Sequence, residues 1–146
     1  MKDASWNDCI ESKSSIKVTP DKQKANSLIE TAKQRIKQTF KEINQDNINF
    51  AFEDYYSSIL ELIHSLVILD GYNVKNHICL GFYLKDEIKR EDLFRIFDDC
   101  RYKRNSLTYY GRRMDFETAK TTITKSKLLI KEIETILQTR KWTKQN

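Results

Sequence analysis

The chain has 146 residues, a net charge of +5 and a mean hydropathy of −0.67, with 39% hydrophobic and 32% charged residues. This length predicts one domain with its own hydrophobic core, and three glycines with one proline favour long helices over sheet. No apolar run approaches the roughly 18 residues of a membrane span, and we expect neither a membrane segment nor a secretory signal.

The N-terminal segment, residues 1–18, is polar, and we expect it to be loosely held or to dock as a short helix through Trp6, Cys9 and Ile10. Cys9, Cys79 and Cys100 are odd in number, widely separated and without a C-x-x-C pair. This pattern argues against a disulfide and a zinc site, and it predicts a cytoplasmic protein that uses no metal or other cofactor.

Five helices are predicted from residue 19 onward. Thr19 caps the first and Pro20 opens it, and apolar residues at helical spacing extend it to 44, with Phe40 and Ile43 on its buried face. The second helix ends at Gly71 and is apolar around much of its circumference, which indicates a central position. Asp115 caps the last helix. The second to fifth helices cover 48–70, 73–85, 90–108 and 115–140.

These elements predict an all-α fold, an antiparallel up-and-down bundle of four to five main helices over residues 19–140. No alternating strand pattern is present, so we expect at most a short strand pair. Residues 141–146 form a tail in which Trp142 either packs on the bundle or is loose.

A basic segment, residues 101–113 (RYKRNSLTYYGRR), carries a charge excess equal to that of the whole chain. It contains no acidic residue, and such a concentration of positive charge is typical of a phosphate or nucleic-acid contact. Tyr109 and Tyr110 within it are suited to stacking on bases. The five basic residues are Arg101, Lys103, Arg104, Arg112 and Arg113.

Helical periodicity places Arg104 inside the apolar stripe of Leu93 and Phe97, whereas Arg101 and Lys103 point elsewhere. An inward guanidinium needs a partner or a wet cleft. Two interpretations follow: Arg104 lines a cleft and meets a phosphate, or it forms a buried salt bridge. The candidate carboxylates for that salt bridge, all on the second helix, are Glu53, Asp54 and Glu61.

The basic segment resembles the signature of the HEPN domain family, helical proteins named for higher eukaryotes and prokaryotes nucleotide-binding. That signature is Arg, a polar residue, a spacer and His near the end of a long helix. PDKQKANSLIETAKQRI (20–36), AFEDYYSSILELIHSLVILDGY (51–72) and KNHICLGF (75–82) resemble the family's first helix, Tyr-rich second helix and His-bearing short helix. The resemblance covers about residues 5–138, in the family's order and spacing.

The resemblance implies a homodimer with a ligand cleft, and a role in toxin–antitoxin pairs with a minimal nucleotidyltransferase as partner. HEPN ribonucleases cleave RNA without metal through the signature Arg and His, commonly across the dimer. Here Arg104 and Asn105 match, but Tyr109 stands at the His position, as in a prokaryotic branch with Arg-Asn-x-x-x-Tyr. The favoured hypothesis is therefore RNA or nucleotide binding by the basic segment, with weak or absent cleavage.

Two other hypotheses remain open. In the first, the protein is an active metal-independent endoribonuclease in which Arg104 holds the scissile phosphate, Asn105 orients it and Tyr109 replaces the His. In the second, it is a structural interaction module with Arg104 in a salt bridge. We expect His64 to be a satisfied core histidine and His77, in the predicted short helix, to orient local structure.

Overall fold

The computed structural model describes the backbone of residues 3–145 and the side chains of residues 3–140. A two-stranded antiparallel sheet accompanies six α-helices in this part of the chain. The predicted all-α fold class is confirmed. The helices are α1 (Trp6–Glu11), α2 (Lys22–Gln38), α3 (Ile48–Leu69), α4 (His77–Phe82), α5 (Glu91–Tyr110) and α6 (Phe116–Gln145), and the strands are β1 (Ser15–Lys17) and β2 (Tyr72–Val74).

Helix α3 lies at the centre of the bundle, as its apolar circumference predicts. Helices α2 and α6 pack along it, and α5 contacts it over a shorter length. Its largest apolar side chains are almost completely removed from solvent, which makes α3 the main contributor to the core. They are Ile48, Phe52, Tyr56, Ile59, Leu62, Ile63 and Leu66.

Helix α2 is shorter than predicted at both ends. Its N-cap is Asp21, whose carboxylate accepts a hydrogen bond from the Lys24 backbone N–H at 2.9 Å, so Thr19 is not the cap. At the other end Thr39 turns into an extended conformation and its hydroxyl donates to the Asp54 carboxylate at 2.7 Å. Because the helix ends there, Phe40 and Ile43 are exposed and do not belong to a buried face.

The prediction of a helix over 73–85 is wrong at its start. Residues Tyr72–Val74 pair with β1, with Ser15 opposite Val74, and α4 begins only at His77. Asn76 caps it by accepting from the Cys79 N–H at 2.9 Å. A π-helical turn, Tyr83–Glu87, continues α4 toward α5. Three-residue strands are too short to show the alternation by which sequence reveals a strand.

A disulfide joins Cys9 of α1 to Cys79 of α4, so the prediction against disulfides is wrong. The two cysteines are 70 residues apart, and only the docking of α1 brings them together. That docking is anchored by Trp6, whose ring lies edge-on to Tyr72 and Tyr83 at 5.2 and 4.9 Å between centroids. Residues 6–11 therefore form the short docked helix, although the third residue expected to dock, Ile10, is exposed.

The remaining helix ends follow local chemistry. Gly71, with φ of +92°, follows the end of α3 as predicted, and Gly111, with φ of +63°, ends α5 in the left-handed conformation. Asp115 caps α6 by accepting from the Thr118 N–H at 2.9 Å. Helix α6 continues to Gln145 and so includes most of the predicted tail, while the Trp142 side chain lies outside the described residues.

Candidate functional site

An open cleft of about 600 Å³ lies between the start of α4 and the C-terminal half of α5. Helix α5 supplies Arg101, Arg104 and Asn105, which lie three and four residues apart and so share one face. The N-terminal segment supplies Asp3 at the edge. The complete lining is Asp3, Asn76, His77, Ile78, Arg101, Arg104, Asn105 and Tyr109. The structure thus brings together the three residues of the Arg-Asn-x-x-x-Tyr motif with a histidine from another helix.

Arg104 is half-buried in this cleft and makes no ion pair or hydrogen bond with any described residue. Its guanidinium carbon lies 5.8 Å from the ring centre of Tyr56 and 6.0 Å from that of Tyr109. The two aromatic faces stabilise the cation by a modest free energy, and they leave its N–H donors available. Arg104 is therefore a positive charge held in place without a carboxylate.

The carboxylates that were candidates for a salt bridge to Arg104 are engaged elsewhere or do not reach it. Glu61 forms a bidentate pair with Arg35, with N–O distances of 3.0 and 2.9 Å, and Asp54 accepts from Thr39. The Arg35–Glu61 pair borders a second concavity, between α2 and α3, whose charged groups already have partners. The cleft with Arg104 is the stronger candidate site because the Arg104 guanidinium has no carboxylate partner among the described residues.

Two of the five basic residues in the basic segment are paired with acids one turn earlier on α5. Arg101 binds the Asp98 carboxylate at 2.9 Å, and the Lys103 ammonium lies 2.8 Å from Asp99. Lys103 also donates to Thr122 on α6 at 3.0 Å and does not line the cleft. Arg101 lies in the lining of the cleft, which its long side chain reaches while its guanidinium pairs with Asp98.

The other two basic residues lie beyond the end of α5 and are exposed. Arg112 lies over the ring of Tyr110, at 5.6 Å from its centre. Arg113 lies over Phe50 at 5.8 Å and donates to the Asp46 backbone oxygen at 3.3 Å. Neither forms an ion pair with a described residue. Both guanidiniums therefore remain available to an anion.

Exposed aromatic rings accompany these charges. Tyr109 is 69% exposed and Tyr110 is 72% exposed, so both rings present faces to solvent beside a guanidinium. A base can stack on such a ring while a nearby guanidinium contacts its phosphate. The geometry is compatible with the stacking role predicted for both tyrosines.

The sequence does not predict four residues of the cleft lining, namely Asp3, Asn76, His77 and Ile78, and His77 is the one among them with an imidazole. Its Nδ1 lies 3.3 Å from the Tyr56 hydroxyl, and the ring belongs to the wall that holds Arg104. Burial, followed by the charges of Arg104, His64 and Arg101, lowers the pKa of His77 below its usual value. Burial also raises the pKa of Tyr56, so the phenol stays protonated at neutral pH. His64 does not line this cleft.

The disulfide lies just behind the cleft. The Asp3 carboxylate comes within 3.4 Å of Cys79 Sγ, and the two sulfur atoms are joined to each other, so they are not thiolate ligands for a metal. Asp3 therefore contributes one negative charge at the cleft edge.

Comparison with known proteins adds no relative: no family model, curated protein or solved structure matches the chain. No described helix is long and apolar enough to cross a membrane. The function must therefore be inferred from the cleft itself and from the residues that resemble the HEPN family.

Proposed function

We propose that the protein is a HEPN-like module that binds RNA or a nucleotide through the cleft between α4 and α5 and the adjoining end of the basic segment. The carrying observation is Arg104, a half-buried guanidinium without a carboxylate partner among the described residues. A planar, permanently charged fork is suited to phosphate oxygens. Asn105 adds an amide donor beside it, and Tyr109 adds a ring for a base.

Arg104→Gln tests this proposal, with Arg95→Gln as the matched control. Arg95 lies on the same helix and is exposed, and its partner is Glu91. We expect the Arg104 variant to bind a labelled single-stranded oligoribonucleotide roughly 10- to 100-fold more weakly, since a charge-assisted hydrogen bond contributes about 1.5–3 kcal/mol. The control should bind like the wild type. Fluorescence anisotropy at low salt measures both, and absence of wild-type binding would reject the proposal.

The same variants separate the binding proposal from the structural-module alternative. A guanidinium without an ion pair contributes little to folding, so Arg104→Gln should melt within a few degrees of the wild type. A structural role predicts the opposite result, a large fall in melting temperature together with no RNA binding by the wild type. The structure supports the first outcome because the salt bridge that this alternative requires is not formed.

The endoribonuclease alternative is favoured by one observation, the shared cleft of Arg104, Asn105 and Tyr109. In it, Arg104 holds the scissile phosphate, Asn105 orients it and Tyr109 acts as the base. A phenol is a poorer general base than an imidazole near neutral pH, so cleavage should be weak. Incubation with total RNA in EDTA, followed by analysis for cyclic-phosphate ends, tests this alternative.

A homodimer and a nucleotidyltransferase partner belong to the proposal through the HEPN resemblance. Exposed aromatic side chains on α5, namely Tyr102, Tyr109 and Tyr110, offer apolar area for a partner. A sedimentation mass of one 17.4 kDa chain at micromolar concentration would argue against the dimer. A cytoplasmic location is part of the same proposal. The disulfide opposes it, because disulfides rarely persist in a reducing compartment.

A further inference from the structure

The contact between Tyr56 and His77 defines which ring nitrogen carries the imidazole proton. Tyr56 is only 1% exposed, and its hydroxyl has no described partner other than His77 Nδ1, at 3.3 Å. A buried phenol hydrogen needs an acceptor. The hydroxyl therefore donates to Nδ1, since the opposite arrangement would leave that hydrogen without one. In the neutral imidazole the proton then lies on Nε2.

The charges around His77 favour its neutral form. Tyr56 on α3 contacts it, and it also feels the charges of His64 on α3 and of Arg101 and Arg104 on α5. Asp3 of the N-terminal segment shares the cleft, and it is the one negative group among the residues that line it. Burial and the neighbouring positive charges lower the pKa of His77, so the ring is uncharged at neutral pH. Its Nε2–H has no hydrogen-bond partner among the described residues.

We propose that His77 is a binding residue of the cleft, and that its neutral Nε2–H donates to a non-bridging oxygen of an RNA phosphodiester whose charge is met by Arg104. The inference rests on the proposed function, because it assumes that the cleft holds a phosphate. Arg101 is paired with Asp98 and Asp3 lies at the cleft edge, so Arg104 is the guanidinium of the lining without an ion pair among the described residues, and it can meet the single charge of a phosphodiester. Two donors from different helices then orient its oxygens.

This role separates His77 from a catalytic base. A ring that carries its proton on Nε2 cannot accept another at that atom, so it cannot remove the proton of a 2′-hydroxyl lying in the cleft. Tyr56 acts as the positioning residue, because its hydrogen bond selects the tautomer. The site therefore holds the RNA backbone without this imidazole cleaving it.

Two substitutions at one position test the donor role. His77→Gln keeps a neutral N–H donor at similar reach, whereas His77→Phe keeps a ring and removes the donor. Loss of a hydrogen bond to a charged group should weaken binding of a 5′-hydroxyl oligoribonucleotide roughly 10- to 100-fold in the Phe variant. The Gln variant should stay within a few-fold of the wild type.

A second arm with adenosine monophosphate identifies the source of the phosphate. A loss with the oligonucleotide, whether or not the free nucleotide shares it, supports the proposal, and a loss confined to the nucleotide overturns it. The proposal is also overturned if the wild type and the Gln variant bind the oligonucleotide no better than the Phe variant does. If the wild type binds neither ligand, the proposed function itself fails. If binding needs Arg104 but ignores His77→Phe, only this inference fails.

A spectroscopic measurement tests the tautomer without any variant that might misfold. Nitrogen-15 spectra of labelled imidazoles distinguish a protonated from an unprotonated ring nitrogen, and the chain has only two histidines to assign. For His77 at pH 7 to 8 we expect an unprotonated Nδ1 and a protonated Nε2, unchanged when RNA is added. A protonated Nδ1, or an imidazolium in the complex, would overturn the proposal.

Discussion

The salt dependence of RNA binding provides a quantitative test of which charges contact phosphate. Arg104, Arg112 and Arg113 are the basic residues of the segment without an ion pair among the described residues. For single strands the logarithm of affinity falls with that of salt concentration with a slope of about −0.7 per phosphate contact. Three contacts give a slope of about −2, or a roughly 20-fold loss of affinity between 50 and 200 mM salt.

The perturbation is the double change of Arg112 and Arg113 to Ala. It leaves Arg104 as the one unpaired guanidinium of the segment, so the slope should flatten to about −0.7 and the same salt change should cost only about three-fold. Titrations of a labelled single-stranded RNA at several salt concentrations give both slopes. The effect should be similar for different RNA sequences, because phosphate contacts carry no base information.

The control is Lys33→Ala with Lys37→Ala, which removes two exposed positive charges from α2 and leaves the basic segment intact. Its slope should equal that of the wild type. A wild-type slope near −3.5 would show instead that all five basic residues contact phosphate. In that case the Arg101–Asp98 and Lys103–Asp99 pairs open on binding. An unchanged slope in the double variant would refute the assignment of Arg112 and Arg113.

Three further predictions concern catalysis and stability. Tyr109→His should raise metal-independent RNA cleavage, since a good general base contributes on the order of 10²–10⁴ in rate. Adding Arg104→Ala should abolish that gain. Brisk cleavage by the wild type that Tyr109→Phe stops would contradict this prediction. Reduction of Cys9–Cys79, which are 70 residues apart, should lower the free energy of unfolding by roughly 4 kcal/mol, measured by denaturant titration with and without reductant; equal midpoints would refute the estimate. Gly111→Ala should lower the free energy of unfolding by about 1–2 kcal/mol, because a φ of +63° strains a residue with a side chain. An added Cβ meets no described atom within 4 Å, so no clash adds to this cost. A neutral effect would mean that the turn readily changes conformation.

The sequence predicts the elements whose pattern is local. Helix α3 is apolar on most sides and is indeed central. Gly71 and Asp115 act at the helix boundaries that their chemistry indicates. The Arg-Asn-x-x-x-Tyr motif lies on one long helix, and helical spacing alone brings Arg104 close to the core and to Tyr109. Each of these features depends on residues within a few turns of one another.

The features that the sequence does not predict depend on contacts between distant segments. The Cys9–Cys79 bond requires α1 to dock against α4 through Trp6. The pairing of β1 with β2 joins residues about 55 to 59 positions apart, in strands too short to have a pattern. His77 reaches the cleft because α4 lies against α5, which no spacing within the basic segment reveals.

The basic segment illustrates why a charge count over a sequence window overstates the charge that a ligand meets. Its first residues still belong to α5, where side chains three and four positions apart are neighbours. Asp98 and Asp99 lie outside the window but within one turn, and they neutralise Arg101 and Lys103. Arg104 has no acid at these spacings, because the residues three and four positions before it are Arg101 and Cys100, and its guanidinium lies near Tyr56 and Tyr109 instead. Helical phase therefore decides that α5 presents one uncompensated charge to the cleft, and His77 adds a neutral donor beside it.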